Sequence, residues 1–309
     1  MINNTDFNIS KQSDEIDIQQ LFKILWEGKN LIIGLTAFFS LVAVVYSLSL
    51  PNIYQSSALL SPVSVNSSNQ TMKGVGGLAS LAGIDINQSG GGKETKAIEK
   101  LNTLSFFADN IYPNIFLPDL MAIESWDPDS NTISYYNNIY DDNTKTWIRN
   151  YKYPKSQIPS PQESLRTFKK QFNISKDDYG FVSITVKHQS PFIAKAWTEL
   201  IVNKINEFFR AKDKLEAQAA MDFLNVQISQ TSYTEIKEVI AALLQQKMQQ
   251  MTLIEANEFY VFAYLDPPRV MEDKISPVRS SICILGAILG GMLSIIFVII
   301  RHYFIRAKK

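Results

Sequence analysis

The residues best suited to chemistry are four acids in one polar stretch, Asp127, Asp129, Asp141 and Asp142. Two carboxylates facing each other across a cleft would suffice to hydrolyse a glycosidic bond. Each of these acids, however, stands beside Pro, Asn, Ser or another acid, the setting in which Asp caps a turn through its own backbone. They are read as turn formers. Gly92-Lys93-Glu94 suggests a phosphate-cradling loop but lacks the hydroxyl residue after the lysine and the upstream glycine at the required spacing. The chain's two histidines, His188 and His302, are far apart, and its single cysteine, Cys283, lies within an apolar run. Neither a disulfide nor a histidine- or cysteine-rich metal site is expected. Catalytic, cofactor-binding and metal-binding residues are all read as none. The expectation is a protein without enzymatic activity.

With chemistry set aside, two uncharged apolar segments dominate, 31–50 and 282–300. Each is about 20 residues long, enough to cross a hydrocarbon core of about 30 Å as a helix. A cleaved signal peptide does not fit the first, because the long segment before it carries Asp14, Glu15 and Asp17. Lys23 and Lys29 precede the first run, 51–70 has no charge, and Arg301, Arg306, Lys308 and Lys309 follow the second. Arg269, Lys274 and Arg279 oppose this, but the balance puts both termini in the cytoplasm. The organisation expected is a cytoplasmic segment 1–30, a span 31–50, a periplasmic domain 51–281, a span 282–300 and a cytoplasmic tail 301–309. Thirty basic and thirty acidic residues cancel, so bulk charge gives no reason to expect a nucleic-acid partner.

Within the external part, 53–65 reads as a strand and 66–92 as a Ser-, Asn- and Gly-rich loop with a short apolar segment at 78–84. A helix is expected over 94–111. The stretch 112–160 has no clear period. Ser160-Pro161-Gln162-Glu163 reads as a capping box opening a helix to about 172. Residues 179–188 alternate as a strand with one buried face. From 192 to 266 there is neither glycine nor proline. Ala217, Ala220, Met221, Leu224 and Ile228 fall on one helical face. Ser232-Tyr233-Thr234-Glu235 reads as a second capping box. The expectation is a long helix from 192 to about 229 and a second to about 257, antiparallel, forming a protrusion over 192–257. Residues 259–265 read as a strand. A proline-punctuated connector with Pro267, Pro268 and Pro277 then reads as a stiff link to the second span. The fold class expected is α+β: two transmembrane helices flanking a domain with a mixed α/β base and a projecting helical hairpin.

Two candidate interaction surfaces follow. Gly286, Gly290 and Gly291 in the second span would let another helix backbone approach closely. Leu224, Ile228, Leu244, Met248 and Met251 are interface candidates, because the hairpin carries more apolar surface than one antiparallel contact covers. Packing between identical subunits around an axis would close a ring.

Several short motifs, taken in order, resemble the chain-length determinant proteins, the Wzz-type polysaccharide co-polymerases. They are Glu15-Ile16-Asp17-Ile18 through Leu25-Trp26-Glu27-Gly28-Lys29, Tyr54-Gln55-Ser56-Ser57-Ala58, Asp266-Pro267-Pro268, Ser276-Pro277-Val278-Arg279, and Gly286-Ala287-Ile288-Leu289-Gly290-Gly291. The stretch 218–266 also resembles that family's C-terminal half, and 112–160 falls outside the likeness. Pro277 followed by valine departs from the family's lysine. The resemblance implies a Gram-negative inner-membrane protein that regulates lipopolysaccharide O-antigen chain length. Its implied partners are a Wzy-type polymerase, lipid-linked polysaccharide and its own copies, in a ring of about eight subunits. It implies no cofactor. A co-polymerase for capsule or exopolysaccharide export is the nearest alternative, and a periplasmic sensor or binding receptor is the alternative of another class.

Overall fold

A computed structural model describes residues 18–63 and 92–306. All but the last residue of the loop expected over 66–92, with its apolar segment, the acids before Ile18 and the final lysines lie outside the described residues. The chain divides into two units, Met1–Pro51 with Ser276–Lys309, and Asn52–Ile275.

The first unit holds α1 (Ile18–Glu27), α2 (Lys29–Ser49) and, at the far end of the sequence, α8 (Arg279–Arg306). Gly28 separates α1 from α2, and a Cβ built there would stand 2.5 Å from a Val298 methyl. Leu50 closes α2 in an extended conformation, as the ring of Pro51 demands of the residue before it. α2 and α8 are each long and apolar enough to cross a membrane; 21 residues of α2 rise about 32 Å. The two pack antiparallel. Gly286 meets Ala43, Gly290 meets Phe39, and the Ser294 and Thr36 hydroxyls lie 3.4 Å apart. α8 extends beyond the apolar run at both ends, because nothing in Arg279–Ser281 or Arg301–Arg306 breaks a helix.

The second unit is built on a four-stranded antiparallel sheet. Its strands are β1 (Tyr54–Pro62), β6 (Phe172–Lys176), β7 (Val182–His188) and β8 (Phe262–Asp266), in the order β6-β7-β1-β8. Ala58 pairs with Ile184 and Leu60 with Val182. These four residues are fully buried, together with Ile201, Val202 and Ile205 of α6 (Pro191–Gln230), which covers the sheet.

The helix expected over 94–111 is broken. α3 (Lys93–Leu101) ends at Asn102, and Thr103 caps a new turn, its hydroxyl accepting the Phe106 N–H. A π-turn (Phe107–Ile111) and a 3₁₀ turn (Tyr112–Asn114) follow. The break turns Phe106, Phe107 and Ile111 into the same core as Ala97 and Leu101.

The stretch 112–160 is structured. It contains α4 (Leu117–Met121) and two small hairpins, β2 (Ile123–Asp127) with β3 (Thr132–Tyr135), and β4 (Tyr140–Asp141) with β5 (Thr146–Trp147). The two hairpin turns have the same design. In Asp127-Pro128-Asp129-Ser130-Asn131-Thr132 the Asp127 carboxylate accepts the Asp129 N–H and the Ser130 hydroxyl, and Asn131 has φ 51°. In Asp141-Asp142-Asn143-Thr144-Lys145-Thr146 the Asp141 carboxylate accepts the Asn143 N–H and the Thr144 hydroxyl, and Lys145 has φ 54°.

α5 (Pro161–Gln171) starts at Ser160, whose hydroxyl accepts the Glu163 N–H. The capping box is only half made. The Glu163 carboxylate goes instead to Arg149, in a two-pronged pair at 2.7 and 2.8 Å.

α6 runs 40 residues, about 60 Å, and turns back through 231–233 into α7 (Thr234–Ala256). Lys214 pairs with Glu255 at 2.5 Å, and Arg210 donates to the Asn257 and Glu258 carbonyls. These contacts fix the antiparallel register. The second expected capping box is absent: α7 is preceded by Tyr233 at the cap position with no side-chain cap, one residue later than the Ser232 start. β8 begins later than residue 259, at Phe262, and the backbone N–H groups of Tyr260 and Val261 just before it are held by the side chain of Asn206.

The connector after β8 lies along the start of β1. The Ser56 hydroxyl donates to the Arg269 carbonyl at 2.8 Å, and the Ile275 N–H donates to the Ile53 carbonyl at 2.9 Å. Lys274 reaches the Asn52 side chain. Pro268 and Pro277 are buried and Pro267 is exposed.

Candidate functional site

All four acids sit at the two hairpin turns of 123–147. Asp127 and Asp141 are held below the usual carboxylate range by hydrogen bonds from Ser130 and Thr144 respectively. Asp142 pairs with Lys145. Among the described residues no three of His, Cys, Asp and Glu are grouped to hold a metal ion.

His188 is buried at the end of β7. Its Nδ1 accepts the Ser190 N–H, so its Nε2–H donates to the Asp119 carbonyl at 3.0 Å. Burial lowers its pKa below the ordinary imidazole value. The unfolded chain then takes up a proton below about pH 6.5 while the folded chain does not. Stability is therefore lost as pH falls below that value, by at most about 1.4 kcal/mol per pH unit from this one group. Asp119, whose pKa burial raises, contributes in the opposite direction nearer pH 4. The guanidinium unfolding midpoint should fall between pH 7 and pH 5.5, and His188→Gln should flatten that dependence. An unchanged slope in the variant would show that the titrating group lies elsewhere.

The candidate functional surface is the hairpin of α6 and α7, set on a polar base. At that base Lys93 donates to Asp213 at 2.7 Å and to the Tyr260 hydroxyl at 2.9 Å, and Tyr260 donates to the same carboxylate oxygen at 2.6 Å. Burial, with the hydrogen bond to Asp213, pushes the Tyr260 phenol well above its ordinary value. About two turns away, the buried Asn206 side-chain oxygen accepts three consecutive backbone N–H groups, from Tyr260 (3.3 Å), Val261 (2.7 Å) and Phe262 (3.0 Å). Its amide donates back to the Phe262 carbonyl. These contacts lock the lower hairpin to the sheet.

Farther out, the expected interface residues divide. Leu224, Ile228, Leu244 and Met251 are half-buried, Met251 against the core, while Met248 is 62% exposed. Apolar side chains outside that set are as open: Leu215 at 74% and Phe223 at 62%, with Val226, Ile236 and Val239 also exposed. Leu215, Phe223 and Val226 recur at helical spacing on one face.

In the first unit, Gly286 and Gly290 lie against α2. A Cβ at Gly290 would stand 2.6 Å from the Phe39 Cβ, and one at Gly286 closer still to the Ala43 Cβ. Gly291 is looser: a Cβ there would stand 3.9 Å from the Thr36 hydroxyl.

Residues that sequence reasoning missed are Asn206, Asp213 and Tyr260 at the hairpin base. Asn206 carried a signal: it is a polar residue among Val202, Ile205 and Phe209 on the apolar face of the helix.

Comparison with known proteins gives a likeness over the N-terminal part of the chain. Residues 14–100 match the family described as Chain length determinant protein, Wzz. Fifty-one residues are 45% identical to the tyrosine-protein kinase etk of Escherichia coli K12, and equally to that of strain O127:H6. The matched stretch is 16% of this chain and 7% of the kinase. A solved full-length bacterial polysaccharide co-polymerase aligns over 94% of this chain and 99% of its own, with 15% identity and a TM-score of 0.38. The family-model match over 14–100 takes in α1, α2 and β1, so the first apolar helix and the first strand of the sheet are the part of this chain that is similar to the chain length determinant proteins.

Proposed function

We propose that this chain sets the length of lipopolysaccharide O-antigen, as a non-catalytic inner-membrane scaffold working with a Wzy-type polymerase. The observation that carries this reading is the chain length determinant match over 14–100, which includes one of the two apolar helices. The domain 51–281 is periplasmic and both termini are cytoplasmic, supported by Lys23 and Lys29 before the apolar run 31–50 and Arg301 after the run 282–300. The chain assembles as a ring of identical subunits. Leu215, Phe223 and Met248 support this, since a lone hairpin leaves their apolar surface in water at about 25 cal/mol per Å². Lipid-linked glycan is the substrate whose growth the ring governs.

Deleting the gene should broaden the ladder of lipopolysaccharide lengths on a silver-stained gel, and the wild-type gene should restore it. Phe223→Asp combined with Leu215→Asp should fail to restore it and should lower the particle mass in detergent. Asp127→Asn and Asp141→Asn should restore it fully. An unchanged ladder in the deletion strain would refute the O-antigen reading. The 51-residue likeness to tyrosine kinases favours a second reading, in which the glycan is a capsule or exopolysaccharide. In that case the extracted capsule, not the lipopolysaccharide, would change its size distribution. A periplasmic receptor would leave both glycans unaltered.

A further inference from the structure

A hollow of about 340 Å³ opens in the part of the second unit that lies outside the family likeness, lined by Met121, Asn138, Ile139, Trp147, Arg149 and Asn150. Its size is at the lower end for small-ligand sites. Three features restrict what it can hold.

The first is charge. Arg149 is the only ionised side chain in the lining, and it is already matched. Both of its terminal nitrogens bond the Glu163 carboxylate, and the remaining contacts go to the Ser156 and Gln157 carbonyls. An anionic ligand would have to compete with Glu163. The nearby Lys145 is paired with Asp142.

The second is rigidity. The Trp147 ring stands edge-on to buried Tyr140 at 5.3 Å, and Tyr140 packs in the same way on Tyr135 and Phe116. Gln157 donates to the Trp147 carbonyl. The indole plane is thus set before any ligand arrives, which reduces the entropy lost on binding.

The third is unused hydrogen-bonding capacity. Among the described residues, nothing bonds the carboxamides of Asn138 and Asn150 or the indole N–H of Trp147. Each carboxamide offers two donors and an acceptor. Such a group bonds adjacent hydroxyls, one as donor and one as acceptor. Met121 and Ile139 supply apolar surface beside them.

We propose that this hollow is a binding site for an uncharged sugar residue of the glycan, with a C–H face of the ring against Trp147 and its hydroxyls on Asn138 and Asn150. The proposal rests on the reading that the chain acts on a surface polysaccharide. It adds the place of contact, and it accounts for free polar groups and a fixed aromatic in a segment with no role in the core sheet.

The test uses the full chain in amphipol, because glycoside detergents would compete. The probe is the oligosaccharide released by mild acid from the strain's own lipopolysaccharide, with polygalacturonate as an acidic control. Binding read by saturation-transfer NMR should be saturable. Asn138→Ala with Asn150→Ala, both at exposed positions, should weaken it about tenfold or more, and Trp147→Leu should abolish it. No saturable binding, binding untouched by the double asparagine variant, or tighter binding of polygalacturonate would each overturn the proposal. The two readings fail separately. A broadened ladder on gene deletion without oligosaccharide binding removes this site and leaves length control standing. Binding with an unchanged ladder does the reverse.

Discussion

Gly290→Leu will separate α2 from α8. A Cβ at residue 290 already falls 2.6 Å from the Phe39 Cβ, and leucine adds three more carbons in a direction closed by that ring. Overpacking of this kind costs about 1–3 kcal/mol, or roughly 5- to 150-fold in the population of the paired state. Small residues matter more between apolar helices than in a soluble core, because lipid competes equally well for apolar surface and only close contact favours the pair. The measurement is disulfide formation between Thr36→Cys and Ser294→Cys, whose native hydroxyls lie 3.4 Å apart, in a Cys283→Ala background. Crosslinking should fall sharply in Gly290→Leu. Gly34→Leu is the control, since a Cβ at Gly34 meets nothing within 4 Å; it should crosslink like the parent. Equal crosslinking in both leucine variants would show that the glycine contact does not hold the pair.

Asn206→Ala will be the most destabilising single polar substitution in the second unit. One oxygen is removed and three backbone N–H groups lose their acceptor in a buried setting. Leaving a buried donor unsatisfied costs about 1–3 kcal/mol. With partial relaxation the loss should be about 3 kcal/mol or more. Asn206→Asp keeps the acceptor but sets a second carboxylate oxygen against the Phe262 carbonyl, so it too should be weakened. The guanidinium midpoint of the solubilised full chain reads both, and limited proteolysis should show earlier cleavage near 257–262. A wild-type midpoint in Asn206→Ala would mean that water replaces the amide and that the network is not structural.

The long elements could be read from the sequence because their signals are long. The absence of glycine and proline from 192 to 266 suffices for the hairpin, and two uncharged runs suffice for α2 and α8. The region 112–160 resisted because its strands are two to five residues long. Strands that short show no alternation, and the aromatics of β3, β4 and β5 pack on one another in a small cluster apart from the four-stranded sheet. The repeated turn, Asp127 to Thr132 and Asp141 to Thr146, was visible in composition but not as a repeat, since only its first and last residues are the same. The capping box at Ser160 was half legible: sequence shows that Glu163 can reach back, but not that Arg149 from an earlier loop takes its carboxylate. Likewise the backbone leading into β8 is held by Asn206, more than fifty residues away in sequence. On the candidate surface, sequence gave the apolar positions of the hairpin but not which of them the partner helix covers. Leu224 and Leu244 are half-buried, whereas Leu215 and Phe223 are exposed.

The hydrogen bond from Ile275 to Ile53 brings the two ends of the second unit together. So long as α2 and α8 remain paired, those ends cannot diverge even when everything between them has lost its structure. The paired helices then act as a crosslink across a very long loop. In the chain-entropy description, closing a loop of this size removes roughly 5 kcal/mol of disorder from the unfolded ensemble. A chain with no disulfide thereby gains the kind of restraint that a disulfide would provide. The same domain, cut free of its flanking helices, would have to fold against the full freedom of an open chain.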